Sequence, residues 1–181
     1  MVAVLLPGMN LHPMLVHFPI ALLTIYALLE LVRVKKLLES ATWLAIKTIF
    51  VVFGSLGALA AVLTGDVAAD LIGETALSEL HSSFGVATAW IFGVLAVIYL
   101  VVFFDRYARL RVSVVLSETS KLRQICKKVI DSAGLVQRSL FMPLVALGGL
   151  IMVTITGALG GAIVYGPDID PAVRFIYSLF F

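Results

Sequence analysis

A chain of 181 residues that is 61% hydrophobic and only 13% charged cannot clothe a water-facing surface, because a soluble fold of this length needs far more polar side chains over its core. Its net charge of +2 is small and gives no sign of a nucleic-acid partner. The single cysteine, Cys126, excludes a disulfide framework within the chain and any cysteine-based zinc or iron–sulfur site.

Residues Met1 to Leu6 are apolar, carry no basic residue and are cut short by Pro7-Gly8, so they do not read as a cleavable signal peptide. The first span is expected to serve as its own insertion signal. Four apolar runs follow, over about 13–32, 43–63, 82–104 and 140–163, each long enough to cross a hydrocarbon core of about 30 Å as a helix. The connection over 64–81 holds Asp66, Asp70, Glu74 and Glu79 and no Lys or Arg. Twelve of the thirteen basic residues fall at the opposite ends of the spans, Arg174 being the exception. The positive-inside rule therefore predicts both termini and the 64–81 connection outside the cell.

Residues 112–138 read as an amphipathic helix, with Val114, Val115, Leu116, Leu122, Ile125, Val129 and Ile130 among basic residues. Such a helix suits the cytoplasmic headgroup region and anionic lipid, or a partner that docks there. Cys126, within it, reads as an ordinary reduced thiol. At the C-terminus Asp170-Pro171 predicts a helix start, and the aromatic stretch over 168–181 is too short to span, which predicts an interfacial anchor. The expected fold is all-α: one integral-membrane domain over 1–181, a four-helix bundle in up-down-up-down order with an amphipathic cytoplasmic helix and a short C-terminal interfacial helix.

Small residues mark the seams between helices, among them Gly54, Gly57, Ala58 and Ala61 on the second span and Gly85 and Ala89 on the third. Gly157, Gly160 and Gly161 on the fourth lie at the depth of the histidines and are the small residues best placed to admit a flat cofactor.

His12, His17 and His81 are the only histidines, and each lies near the outer end of a span. Ionisable groups inside a membrane are costly, which makes them functional candidates. His12 and His17 are five residues apart, about 140° around a helix, so they do not grip one metal together. Spans one and three run in the same direction and lie diagonally in such a bundle, so one histidine from each can approach across its axis. His17 with His81 is the expected metal-ligating pair, with His12 bonding a haem propionate or replacing His17 as ligand. Two imidazoles on one haem b suit electron transfer, since no coordination site stays open for substrate. Pro19 removes a helix hydrogen bond to Leu15 and loosens span one beside His17.

The segment Asn10-Leu11-His12-Pro13-Met14-Leu15-Val16-His17-Phe18-Pro19-Ile20-Ala21-Leu22 resembles the opening motif of an uncharacterised prokaryotic membrane-protein family, domain of unknown function 2231. Thr64-Gly65 closing span two, His81 opening span three and the run from Thr156 to Gly166 closing span four are similar to its pattern as well. The resemblance covers the chain except 112–138 and implies four spans in a prokaryotic plasma membrane. Members are sometimes joined to, or encoded beside, Rieske-type or c-type cytochrome modules, which implies a redox setting. Many carry a histidine after the tyrosine that ends span four, whereas here Tyr165 is followed by Gly166-Pro167-Asp168.

The expected function is a membrane-bound cytochrome b-like electron-transfer protein or subunit with haem near the outer face, a reading favoured over a stand-alone enzyme. Its cofactor-binding candidates are His12, His17, His81, Gly157, Gly160 and Gly161, with His17 and His81 on the metal. Beyond the lipid bilayer, its expected partners are a quinol or a Rieske or c-type redox subunit, within a complex or a homo-oligomer. Two alternatives stand beside it: a cofactor-free structural or assembly subunit, and a metal-handling protein using the three histidines with Asp66. The second is weakened because the spans show no buried charge near the midplane and no inverted repeat.

Overall fold

The computed structural model describes residues 11–108 and 121–181, and every regular element among them is a helix. In chain order these are α1 (His12–Leu15), α2 (His17–Leu31), α3 (Lys35–Leu38), α4 (Ala41–Ile72), α5 (Ala76–Ala108), α6 (Lys121–Arg138), α7 (Phe141–Tyr165) and α8 (Pro171–Tyr177). Four segments are long and apolar enough to cross a membrane: His12–Leu31, Ala41–Asp70, Ala76–Tyr107 and Phe141–Tyr165. In lipid the backbone has no water to bond to, so such runs must satisfy their amides internally as helices.

The ends of these helices are set by local chemistry. Ser40 caps α4 by accepting from the Trp43 amide at 3.3 Å. Thr75 and Ser78 cap the start of α5 reciprocally, the Ser78 amide bonding the Thr75 hydroxyl at 3.1 Å and the Thr75 amide the Ser78 hydroxyl at 2.8 Å. Gly73 and Gly166 end α4 and α7 with φ of 83° and 88°, a conformation other residues adopt only with strain. Asp170 caps α8, its carboxylate accepting from the amides of Ala172 and Val173 at 2.8 and 2.9 Å.

The acidic connection expected over 64–81 is mostly helix: α4 runs on to Ile72, α5 begins at Ala76, and only Gly73 to Thr75 link them. Leaving the membrane does not end a helix, and Val67-Ala68-Ala69 continues it readily. At 32 residues α4 is about 48 Å long, well beyond a hydrocarbon core of about 30 Å.

Each long helix packs on its sequence neighbours, and α2 also packs on α7. This places α2 opposite α5, and α4 opposite α7, across the bundle axis. The centre of the core is aromatic and aliphatic: Tyr26 meets Phe92 and Tyr99 edge to face at 6.0 and 5.5 Å, beside Leu23, Val51, Leu95 and Met142. Two glycines allow this approach, since a Cβ at Gly54 would lie 2.5 Å from Leu23 and one at Gly149 2.7 Å from Phe92. Phe53, Leu56, Trp90, Val97 and Leu144 face outward, an apolar girdle suited to lipid rather than water.

Of the amphipathic stretch, residues 112–120 lie outside the described residues. The rest forms α6, which packs on α5 and α7 at the basic end of the bundle. Ala133 and Gln137 are buried there, while Lys121, Ile125, Lys128, Val129 and Leu135 remain exposed.

Candidate functional site

At the other end, α1 and α5 bring His12 and His81 together across the axis, with ring centroids 6.1 Å apart and ring planes at 89°. The His12 Nδ1 lies 2.9 Å from the Ala61 carbonyl and 3.3 Å from the Thr64 hydroxyl, both on α4. The His81 Nδ1 lies 3.0 Å from the Thr156 carbonyl on α7. A carbonyl only accepts, so each neutral ring carries its proton on Nδ1 and its lone pair on Nε2. Imidazoles that bind metals are commonly held in this way, by a hydrogen-bond acceptor at the nitrogen away from the metal.

Bare backbone backs both rings. A Cβ at Gly65 would stand 3.3 Å from the His12 Cε1, and one at Gly160 3.1 Å from the His81 Cε1. Gly160 therefore makes room for the imidazole itself. A Cβ at Gly161 would stand 3.6 Å from Val173 of α8, and one at Gly157 would meet nothing within 4 Å. The end of the bundle is closed from one side by the C-terminal segment, with Phe180 against Phe84 at 5.4 Å.

His17 is not part of this pair. Its ring is exposed and donates from Nδ1 to the Pro13 carbonyl, one turn back, at 2.8 Å. Val16 keeps helical torsions between α1 and α2, so rotation by five residues carries His17 away from the axis once His12 faces it. The pairing across the diagonal is thus His12 with His81, the substitution the sequence left open, and not His17 with His81. Pro19 is buried with its ring against Gly57, where a Cβ would lie 3.2 Å from the Pro19 Cδ. Asp66 is exposed, and among the described residues no three His, Cys, Asp or Glu side chains gather as a metal site.

The basic end holds a second constellation that the reading of the sequence passed over, a pair of charges buried near the ends of the first two spans and away from their midplane. Glu30 and Lys47 are each 0% exposed, with Nζ 2.9 Å from Oε2. The Tyr99 hydroxyl donates to the same carboxylate oxygen. Arg33 bonds Glu30 Oε1 at 3.1 Å and donates to the carbonyls of Arg138 and Ser139. The signal was available: two residues of opposite sign, inside spans one and two, at matched depth from the basic end. The cluster joins α2, α4, α5 and the α6–α7 junction. Every charge in it is paired, so it fastens helices rather than offering a vacant ligand position.

A family model described as predicted membrane protein (DUF2231) matches residues 8–170. No curated protein and no solved structure matches the chain.

Proposed function

The chain belongs to the predicted membrane protein family DUF2231, and within that multi-pass architecture we propose that it is a b-type cytochrome subunit whose His12 and His81 hold one haem iron. The observation that supports this most is the pair of anchored imidazoles, 6.1 Å apart on diagonally opposed helices. Metal–nitrogen bonds are about 2 Å long, so rings whose centroids are 6.1 Å apart are close enough for one metal to be held by both. A zinc site needs three or four protein ligands, and the described residues supply no third His, Cys, Asp or Glu here. A haem would bring four nitrogens of its own and take two more from the protein, which His12 and His81 would supply, so the donor set fits haem.

Bound there, haem would supply reversible one-electron chemistry. The residues of the chain orient and insulate. The carbonyls of Ala61 and Thr156 fix the tautomer and rotation of the two rings, and the Thr64 hydroxyl adds a second contact to His12. Phe84, Phe180 and Val173 cover the end of the bundle and restrict water. The clustering of basic residues at the opposite end orients the histidines outward in a prokaryotic plasma membrane. The electron donor in this reading is a quinol or a redox subunit, and the acceptor a Rieske or c-type carrier outside. The sequence Tyr165-Gly166-Pro167 supplies no further histidine, which favours a single haem.

The test is an absorption spectrum of protein expressed with ample haem. A low-spin bis-imidazole Soret band is expected in the wild type and in His17→Ala, and its loss in both His12→Ala and His81→Ala. Wild-type protein without a Soret band would sink the proposal and leave a cofactor-free structural subunit as the reading.

A further inference from the structure

At the basic end, α6 roofs a cavity of about 680 Å³ between itself, the ends of α4 and α5 and the α3–α4 link. Its walls carry two guanidiniums, Arg106 and Arg138, and three carboxylates, Glu39, Asp105 and Asp131. None of the ion pairs among the described residues joins these five side chains to one another. Opposite charges therefore share one space without neutralising each other. Leu44, Val102 and Ile130 supply an apolar wall on the bundle side. Asp105 and Arg106 stand at the end of the third candidate span, the level at which phospholipid headgroups meet a membrane protein.

We propose that this cavity binds a zwitterionic phospholipid with a primary-amine headgroup, of the phosphatidylethanolamine class. The phosphate is matched by Arg106 and Arg138, which pair with its oxygens in the geometry guanidinium favours. The ammonium is matched by Asp105, Asp131 and Glu39, and the first acyl carbons by Leu44, Val102 and Ile130. Among the described residues, a purely anionic headgroup would place its charge beside three carboxylates, with two guanidiniums to offset them. A choline headgroup carries the same charges but cannot donate hydrogen bonds to the carboxylates. The chemistry of the walls thus selects for an ammonium that can.

The test uses the full chain, delipidated in detergent, with native mass spectrometry after addition of dioleoyl phosphatidylethanolamine, phosphatidylcholine or phosphatidylglycerol. Phosphatidylethanolamine is expected to be retained about tenfold more strongly than either of the others, the equivalent of one charge-assisted hydrogen bond. Arg138→Gln should lower its retention about tenfold, and Asp131→Asn should erase the discrimination against choline. Both side chains are exposed, and unchanged helical circular dichroism checks the fold of each variant. Equal retention of the three lipids, preference for phosphatidylglycerol, or a selectivity that survives both substitutions would overturn the proposal.

Discussion

Gly160 gives His81 its place, and its role separates it from its neighbours in the same glycine-rich run. A methyl group there would lie 3.1 Å from the imidazole, whereas at Gly157 it would meet nothing within 4 Å. Gly160→Ala is therefore expected to push the ring from its anchor at a cost of about 1–3 kcal/mol. The readout is a weakened Soret band on haem titration, and Gly157→Ala should titrate as the wild type does. The glycines were visible in the sequence as small residues at the right depth, but what each one faces was not. The same holds for the choice between His12 and His17. Their spacing shows that only one can face the axis, but the helix is apolar on every side, so no hydrophobic stripe fixes its rotation. In water, the polar face of a helix would have decided the matter.

Among the elements, the Glu30–Lys47–Tyr99 cluster does what sequence-local interactions cannot, since it spans three long helices and reaches the α6–α7 junction through Arg33. Removing one partner strands a buried charge. Lys47→Met should lower stability by about 3 kcal/mol, read as a lower thermal midpoint in detergent, and Glu30→Gln combined with it should recover more than half of that loss. A double variant no more stable than Lys47→Met would show that the pair is not coupled. The lengths of α4 and α5 teach a different lesson. Their apolar parts were legible because lipid imposes a run of about 20 apolar residues. The acidic residues at their ends marked the boundary of the membrane, which the sequence cannot distinguish from the boundary of a helix. Gly54→Ala tests the packing between α2 and α4: a Cβ 2.5 Å from Leu23 is expected to destabilise the bundle by about 1–3 kcal/mol, again as a drop in midpoint.

For the molecule as a whole, the separation of charge from histidine predicts which end faces the cytoplasm. Cys126 is the only native thiol and is partly accessible on α6 at the basic end. A membrane-impermeant maleimide applied to intact cells should leave it unlabelled, while a cysteine placed by Glu74→Cys in a Cys126→Ser background should react. The reverse labelling pattern would invert the topology. The all-helical bundle and its order were legible because four consecutive spans that alternate in direction have few ways to pack; the roofing of one end by α6 was not, because it depends on contacts of α6 with α5 and α7.

The diagonal placement of His12 and His81 has a thermodynamic consequence. Helices α2 and α5 stand on opposite sides of the axis and are not primary packing partners, so a ligand shared by the two rings, as proposed, would act as a clasp across the bundle. Binding to the folded state alone would add about 4 kcal/mol at a thousandfold excess over the dissociation constant. Folding and ligand loading would then be one linked equilibrium, in which the concentration of such a ligand would set how firmly the first span is held to the third.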